Sequence, residues 1–559
     1  MSALSILTAF MVLQGNAKPQ IGLDVFLLQG TSRVAVKNGA SLSGEVTFKV
    51  VVNTEDPIQA VEFYVGDDLR ESDGSTPYEF KLDTLAEDDG DVKVRFKGFT
   101  TEGKNAEKFY TVKVDNGLSL GAAVHIKKGN DFLSEGKNDE AITEGRIALK
   151  IEKANSDAKI LLSRANFAKG IYDKAQKFAE DVLESDKNNR AAKEVIISMK
   201  VNQAFSVVAK SANDRSDVIK AISKGLSEAI VMRSEMLDAD VERLSSGDKM
   251  SLEYLDAAIR ARRYTLVIDA LEAKIVKDYG NVELNNRLIF AYVMTSQTSK
   301  AISFLGNVKK FGKMDGYTYA MASIVSNETG NDAASDELIK EAILNSPDSL
   351  GIRTAQAFIA LKRDNPTALG DAAKSLAKEV NRSEAHYFMA ALNNRLGRVD
   401  QGRRSFEKAL KADAIDHDMY VEQGNEAISL ALMKDVAEKD QQNQFEYART
   451  MYELALKCRE NSGQALSGMS IVLLMQKKVD ESVSYAEAAT KATPLYAGAW
   501  YTLSAAMSAK RLDARTALAK ASQLDARNLQ GRSMPDAKIV FRYFNTTGRT
   551  PVVSPPARG

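Results

Sequence analysis

Between Val46 and Val114 the chain alternates apolar and polar positions in short runs: Val46–Val52 (VTFKVVV), Val61–Val65 (VEFYV), Tyr78–Leu82 (YEFKL), Val92–Phe99 (VKVRFKGF) and Phe109–Val114 (FYTVKV). A period of two sends successive side chains to opposite faces of a strand, and β-branched and aromatic residues fit that pleated surface. Turn-forming stretches at 53–57, 66–77, 87–91 and 100–105 separate the runs. Short strands at such spacing predict a β-sandwich.

From residue 118 the period changes. Aligned with itself at a shift of 34 residues, the chain pairs Gly136 with Gly170, Ala141 with Ala175 and Gly145 with Ala179. A second train keeps phase over three copies: Ala322, Gln356 and Ala390; Ala334, Ala368 and Gly402; Leu338, Ala372 and Phe406. Such a repeat is a pair of helices whose small residues lie where the two approach, and neither helix can bury its apolar face without the next pair. Proline usage agrees. Of ten prolines only Pro347, Pro366 and Pro494 fall within 118–534, as expected where proline in a helix interior costs about 3 kcal/mol. Pro347 and Pro494 lie at repeat borders, and Pro366 follows Asn365 at the first position of a second helix.

This grammar resembles the tetratricopeptide repeat family, which places a small residue at repeat position 8, Gly or a polar residue near 15, Ala at 20, an aromatic or apolar residue at 24 and Ala at 27. The repeat from 383 carries Ala390, Gly397, Gly402, Phe406 and Ala409, and that from 463 carries Ser470, Ser482, Ala486, Ala489 and Pro494. Repeats are expected to start near 122, 156, 190, 248, 282, 315, 349, 383, 429, 463 and 497, with an enlarged or three-helix element at 190–247 and extra residues at 417–428. In the last repeat, which holds the single tryptophan, Trp500, the interhelix loop reads as about two residues short. The alternating region, residues 21–117, resembles the bacterial immunoglobulin-like modules of secreted proteins, with no cysteine pair and no tryptophan of its own. The expected fold is therefore mostly α: a tetratricopeptide-type α-solenoid preceded by a small all-β immunoglobulin-like sandwich. The division is a signal peptide at 1–17, the sandwich at 18–117, a solenoid of about ten to twelve helix hairpins at 118–534 and a basic, proline-containing tail at 535–559.

Composition narrows the chemistry. The 559 residues hold 75 basic and 75 acidic side chains, so overall charge selects no polyanionic partner, and no nucleic-acid role is expected. The balance is uneven along the chain: residues 18–117 carry 12 basic against 18 acidic, whereas Arg527–Gly559 carries six basic and one acidic. One cysteine, Cys458, rules out an intrachain disulfide framework, and His125, His386 and His417 are too scattered for a transition-metal centre. No cofactor or metal is expected. The acidic turn Glu87–Asp91 lacks the alternating order of a calcium loop and reads as a solvated hairpin turn. Ala3–Leu13 is an apolar run followed by small Gly15 and Ala17; it is too short to span a bilayer and has the length of a secretory h-region. An extracytoplasmic location is expected if that signal acts, a cytoplasmic one otherwise. No later segment reads as transmembrane.

Enzyme signatures fail. Gly129 to Lys137 resembles a phosphate loop only loosely and falls on the repeat's own glycines, and no nucleophile-elbow, dinucleotide or zinc-protease motif is present. Asp416, His417 and Asp418 read as a solvated loop at a repeat border, and Cys458 as a buried small side chain on a second helix. What remains is recognition. Positions 2, 5, 9 and 12 of the first helix share one face, which in the family lines the concave surface. They give Asn130, Arg164, Phe167, Asn286, Phe290, Tyr319, Arg353, Glu384, Tyr387 and Asn394. The partner-binding set is Asn130, Arg164, Phe167, Tyr319, Arg353, Tyr387 and Asn394, suited to a protein or peptide. Ile126 and Leu161 stand where chaperone-tail binders need Lys and Asn, so that clamp is not expected. The sequence thus reads as a non-catalytic scaffold whose β-module is a spacer or adhesion unit. The alternative is a cell-envelope accessory protein in which that module binds glycan while the solenoid recruits an enzyme or assembly factor.

Overall fold

A computed structural model describes residues 21–525 except 31, 208–214, 276–278, 296, 348, 364, 378–382 and 434–435. The segment 1–17, expected as a signal peptide, and the expected tail 535–559 lie outside the described residues. Contacts divide the chain into two compact units, Met1–Ala192 and Lys193–Gly559.

The described residues of the N-terminal unit include nine strands: β1 Gly22–Gln29, β2 Ser32–Ala35, β3 Ser41–Leu42, β4 Glu45–Asn53, β5 Ile58–Val65, β6 Asp68–Asp73, β7 Tyr78–Asp83, β8 Gly90–Thr100 and β9 Asn105–Val114. They form two sheets in the orders β2-β1-β4-β7 and β3-β9-β8-β5-β6. Alternation along β5 and β8 sends Val61, Phe63, Val94 and Phe96 inward. With no cysteine pair to tie the sheets, aromatic packing fills the space between them. Phe48, Phe63, Phe80 and Phe96 are fully buried, with Phe63 stacked on Phe96 at 5.1 Å and Phe48 edge-on to Phe96 at 5.2 Å. Each such ring contributes about 1.5–3 kcal/mol by burial. The stretch 66–77, expected as a turn, contains β6, whose Asp68, Arg70 and Glu71 are all exposed. A charged edge strand of this kind resists pairing with other chains.

The sandwich passes directly into two hairpins, α1 Ala122–Ser134 with α2 Asn138–Ile151 and α3 Ser156–Ala168 with α4 Tyr172–Ser185. Asn116, nearly fully buried, organises this junction. Its Oδ1 accepts from Gly44 N and Thr84 Oγ1, and its Nδ2 donates to Thr84 O and Asp89 Oδ1. The acidic turn is thereby used structurally, since Asp89 also accepts from the backbone N–H of Asn116 and Leu118. Arg146 and Lys150 of α2 bind Asp83 and the Glu87 carbonyl. His125 of α1 has both ring nitrogens on acceptors, Glu144 Oε2 at 2.6 Å and Gly117 O at 2.9 Å.

The C-terminal unit begins within an enlarged hairpin, α5 Arg190–Ser206 with α6 Ser216–Leu244. Three hairpins follow: α7 Leu252–Arg260 with α8 Tyr264–Ile275, α9 Val282–Met294 with α10 Thr298–Phe311, and α11 Gly316–Glu328 with α12 Asp332–Asn345. Next come α13 Leu350–Lys362 with α14 Pro366–Leu376, α15 Ser383–Arg395 with α16 Val399–Ala412, and α17 His417–Ala431 with α18 Glu438–Cys458. The last are α19 Gly463–Met475 with α20 Val479–Ala492 and α21 Ala497–Ala509 with α22 Arg515–Leu524. The expected border at 429 is therefore displaced: residues 417–428 are a first helix, and the extra length lies in α18. The final loop, Lys510–Ala514, is longer than Gln476–Lys478 of the hairpin before it, contrary to expectation, because α22 starts late.

The repeat positions act as their chemistry requires. Where position 8 is serine, its buried hydroxyl donates to the carbonyl of position 20: Ser163 to Ala175 at 2.6 Å and Ser470 to Ser482 at 2.8 Å. Ser323 donates to Ser335 in the same way at 2.7 Å, so the repeat expected from 315 starts one residue later, with Ser323 and not Ala322 at position 8. The interhelix turn needs a left-handed residue. Glycine supplies it at 136, 170, 330 and 397, but Arg262, Lys477 and Arg511 adopt φ of 61°, 63° and 61° there, at a cost of roughly 1–2 kcal/mol each. Successive hairpins of the C-terminal unit curl until distant ones meet. α6 packs on α18, and Phe205 meets Phe406 edge-on at 6.1 Å.

Candidate functional site

First helices α9, α11, α13, α15 and α17 turn one face toward a cavity of about 330 Å³. Helical spacing of three or four residues puts the lining in rows: Phe290, Val293 and Met294; Tyr317, Met321 and Ile324; Leu350, Thr354 and Phe358; Glu384, Tyr387 and Phe388. Tyr264, at the start of α8, completes an aromatic wall and stacks edge-on to Phe290 at 5.8 Å. The open concave trough expected from the repeat is bridged here, so that part of the inner surface is enclosed.

Two arginines make the bridge. Arg262, in the α7–α8 turn, donates to Asp413 at 2.7 Å across 151 residues. Arg459, just after α18, donates to the Met294 carbonyl and lies 3.1 Å from His417 Nδ1. Beyond this clasp is a more open cleft of about 1150 Å³; Arg262, Tyr264, Met294 and Arg459 line both spaces. Asp416, His417 and Asp418, expected in a solvated loop, are the N-terminus of α17. Asp416 caps that helix by accepting from Met419 N, and His417 is 5% exposed. The correction has a physical origin: closure of the curl covers a polar segment that no neighbour in sequence would cover.

Burial sets the protonation states around the cavity. Burial first, and then the cation of Arg459, lowers His417 to about 4, against the opposing hydrogen bond that His417 donates to Asp418. Burial pushes Asp416 upward, and neighbouring Asp418 and Asp413 add to this while Arg262 opposes it. Asp418 feels the same burial, but the His417 hydrogen bond and the Arg459 and Lys362 charges outweigh it and hold its carboxyl low. The Tyr387 hydroxyl is raised by burial and then by Glu422, Asp418 and Asp416.

One constellation invites a catalytic reading. Ser462 Oγ lies 2.6 Å from His417 Nε2, and His417 Nδ1 lies 3.0 Å from Asp418 Oδ1, the connectivity of a nucleophile–base–acid relay. Two features oppose it. Ser462 is 1% exposed and its Oγ accepts from Ala465 N as the cap of α19. The guanidinium of Arg459 beside the ring disfavours the imidazolium that a general base must become. A hydroxyl donating to Nε2 and Nδ1–H donating to Asp418 satisfy all three groups as a structural relay. Among the described residues no group of three or more His, Cys, Asp or Glu could hold a metal. Cys458 is buried, and burial pushes its thiol up.

Of the seven residues expected to bind a partner, Tyr387 alone among the described residues lines the cavity. Phe290 and Glu384, read from the same helix face, join it there. Arg353 instead donates to Ser375 O at 2.8 Å in its own hairpin. Asn394 lies against Gly402 of α16, because position 12 falls near the face that position 8 turns to the second helix. Tyr319 is half-buried in the core of the C-terminal unit. Asn130, Arg164 and Phe167 belong to the N-terminal unit. The first two are exposed, Asn130 donates to Ile126 O, and Phe167 packs on Tyr172 at 5.8 Å. Tyr264 and Arg262 went unread because they sit at a helix start and a turn, outside the first-helix stripe, and Asp416 and His417 were read only as a solvated loop. A large aromatic directly after an interhelix turn was the available signal.

Two family models match the two kinds of element described above. Residues 34–114 match the model of the bacterial Ig domain family, and residues 132–196 match that of the tetratricopeptide repeat. Among solved structures the chain is similar to the APC/C hetero-tetramer Cut9-Hcn1, at 11% identity over 76% of this chain and 84% of that one, with a TM-score of 0.38. It is also similar to yeast Tom70, at 17% identity over 76% of this chain and 88% of that one, with a TM-score of 0.30. No curated protein matches the chain.

Proposed function

We propose that this chain is a non-catalytic scaffold, acting outside the cytoplasm, that holds a protein or peptide partner against the inner surface of its C-terminal unit. The observation that carries the reading is the cavity itself, walled by the first helices of five consecutive hairpins and rich in aromatic side chains. Aromatic, largely desolvated pockets of this kind concentrate the energy of polypeptide recognition. The Ig-like module serves as a spacer held firmly to α2, because the Asn116 network and the Arg146 and Lys150 contacts leave no free linker between them. The leader-like run Ala3–Leu13 supports the location.

A random peptide library displayed on phage and panned against the immobilised full-length chain tests the binding role. Peptides that bind the native chain and lose affinity on Tyr387→Ala support it; recovery of no specific binder, or affinity unchanged by Tyr387→Ala, refutes it. Fusion of residues 1–17 to a reporter active only after export tests the location.

A further inference from the structure

We propose that the inner cavity receives a basic side chain, lysine or arginine, of the bound polypeptide; this rests on the peptide-binding role above and specifies the ligand chemistry. The charged groups do not balance. Arg262 pairs with Asp413 at 2.7 Å and also faces Asp416, so four acidic side chains, Glu384, Asp413, Asp416 and Asp418, are set against two cations, Arg262 and Arg459. Lys362, behind the lining, is shared among Glu328, Asp418 and Glu422, three acidic groups to one cation, and so does not make up the difference. Glu384 has no hydrogen-bond or ion-pair partner among the described residues. The Tyr264 hydroxyl, on a residue 3% exposed, is a buried polar atom without a hydrogen-bond partner of good geometry. A buried hydroxyl left this way is costly unless something fills the space, and Glu384, half-buried, loses its water when the cavity is filled.

A ligand must therefore donate hydrogen bonds, carry positive charge and present an apolar stem. An acidic group would face three carboxylates. A purely apolar one would leave Glu384 desolvated and Tyr264 unsatisfied. The aliphatic stem of a basic side chain packs against Phe290, Tyr317 and Phe358 while its head reaches the carboxylates. Aromatic faces attract cations, and the chain already uses this on its own account: Lys362 Nζ lies 5.0 Å over the Phe358 ring. The volume of about 330 Å³ suits one long side chain with a few waters.

The test takes a consensus peptide from the panning and replaces each basic residue in turn by norleucine, which keeps the stem and deletes the charge. Binding to the full-length wild-type chain is compared with binding to a Glu384→Gln/Asp416→Asn variant. Asparagine retains the helix cap at 416, and circular dichroism melts report whether the variant folds. One norleucine peptide is expected to lose about 10- to 100-fold in affinity on the wild type, the range for a hydrogen bond to a charged group, and about twofold or less on the variant. Thr354→Trp, which fills the cavity, should weaken the lysine and the norleucine peptide alike, because both insert the same stem. Equal losses on wild type and variant, or selected peptides with no common basic position, overturn this inference while leaving peptide binding intact. Failure to recover any specific peptide overturns both.

Discussion

Replacing His417 by Gln separates the cost of burying a neutral imidazole from everything else in the clasp. In the folded chain His417 titrates at about 4 against an ordinary 6.5, a gap worth roughly 3 kcal/mol. The sign follows from which state binds the proton. Folding favours neutral His417, so its contribution is intact above pH 6.5 and is lost as pH falls through 6.5 toward 4. Asp416 runs the other way: its carboxyl is raised, so the cost of keeping it charged is relieved over the same descent. Stability of the wild type alone thus mixes two opposing slopes. Urea unfolding of wild type and His417→Gln between pH 7 and 4, followed by far-UV circular dichroism, cancels the shared Asp416 contribution. The advantage of wild type over variant should shrink by roughly 3 kcal/mol across that window. With only three histidines in the chain, ring resonances of a histidine-labelled sample give an independent readout, and the one missing from the variant should stay neutral until about pH 4. Parallel stability curves, or a His417 resonance titrating near 6.5, would refute the account of a buried neutral relay.

Four further outcomes are expected. Gly468→Ala should destabilise by about 1–3 kcal/mol, because a methyl there meets the buried Tyr452 ring at 2.4 Å while Gly424 confines its other face; Tyr452→Leu in the same chain should recover part of the loss in a thermal melt. Lys477→Gly should raise the urea midpoint by relieving about 1 kcal/mol of left-handed backbone strain at φ 63°. Arg395→Met should cost about 3–5 kcal/mol by removing the cation paired with the buried Glu422, since the pair is only 2% and 5% exposed, and Arg395→Met/Glu422→Leu should be markedly more stable than the single variant. Asn116→Ala should lower the stability of the N-terminal unit by at least about 2 kcal/mol, visible as faster amide exchange in both β4 and α2, because it removes the hub that joins Gly44, Thr84 and Asp89.

The sequence alone determined the elements and their grammar. Alternation found β4, β5, β7, β8 and β9, in which Phe48, Phe63, Phe80 and Phe96 must point one way, but not β1 to β3, which precede the first run read. It missed β6 because a strand exposed on both faces carries no apolar period. The 34-residue repeat located the helix pairs because close approach demands a small side chain at fixed places, and Ser163, Ser323 and Ser470 meet that demand with a local hydrogen bond. Tertiary structure decided what the helix pairs enclose. The curl of the C-terminal unit accumulates from a small rotation at each hairpin, and whether residue 262 reaches residue 413 depends on the sum, which leaves no mark on either residue's neighbours. His417 between two aspartates is the same local string in a wet loop or under a closed clasp. Only the closure removes its water, and removal of water is what turns a charged segment into the wall of a binding cavity.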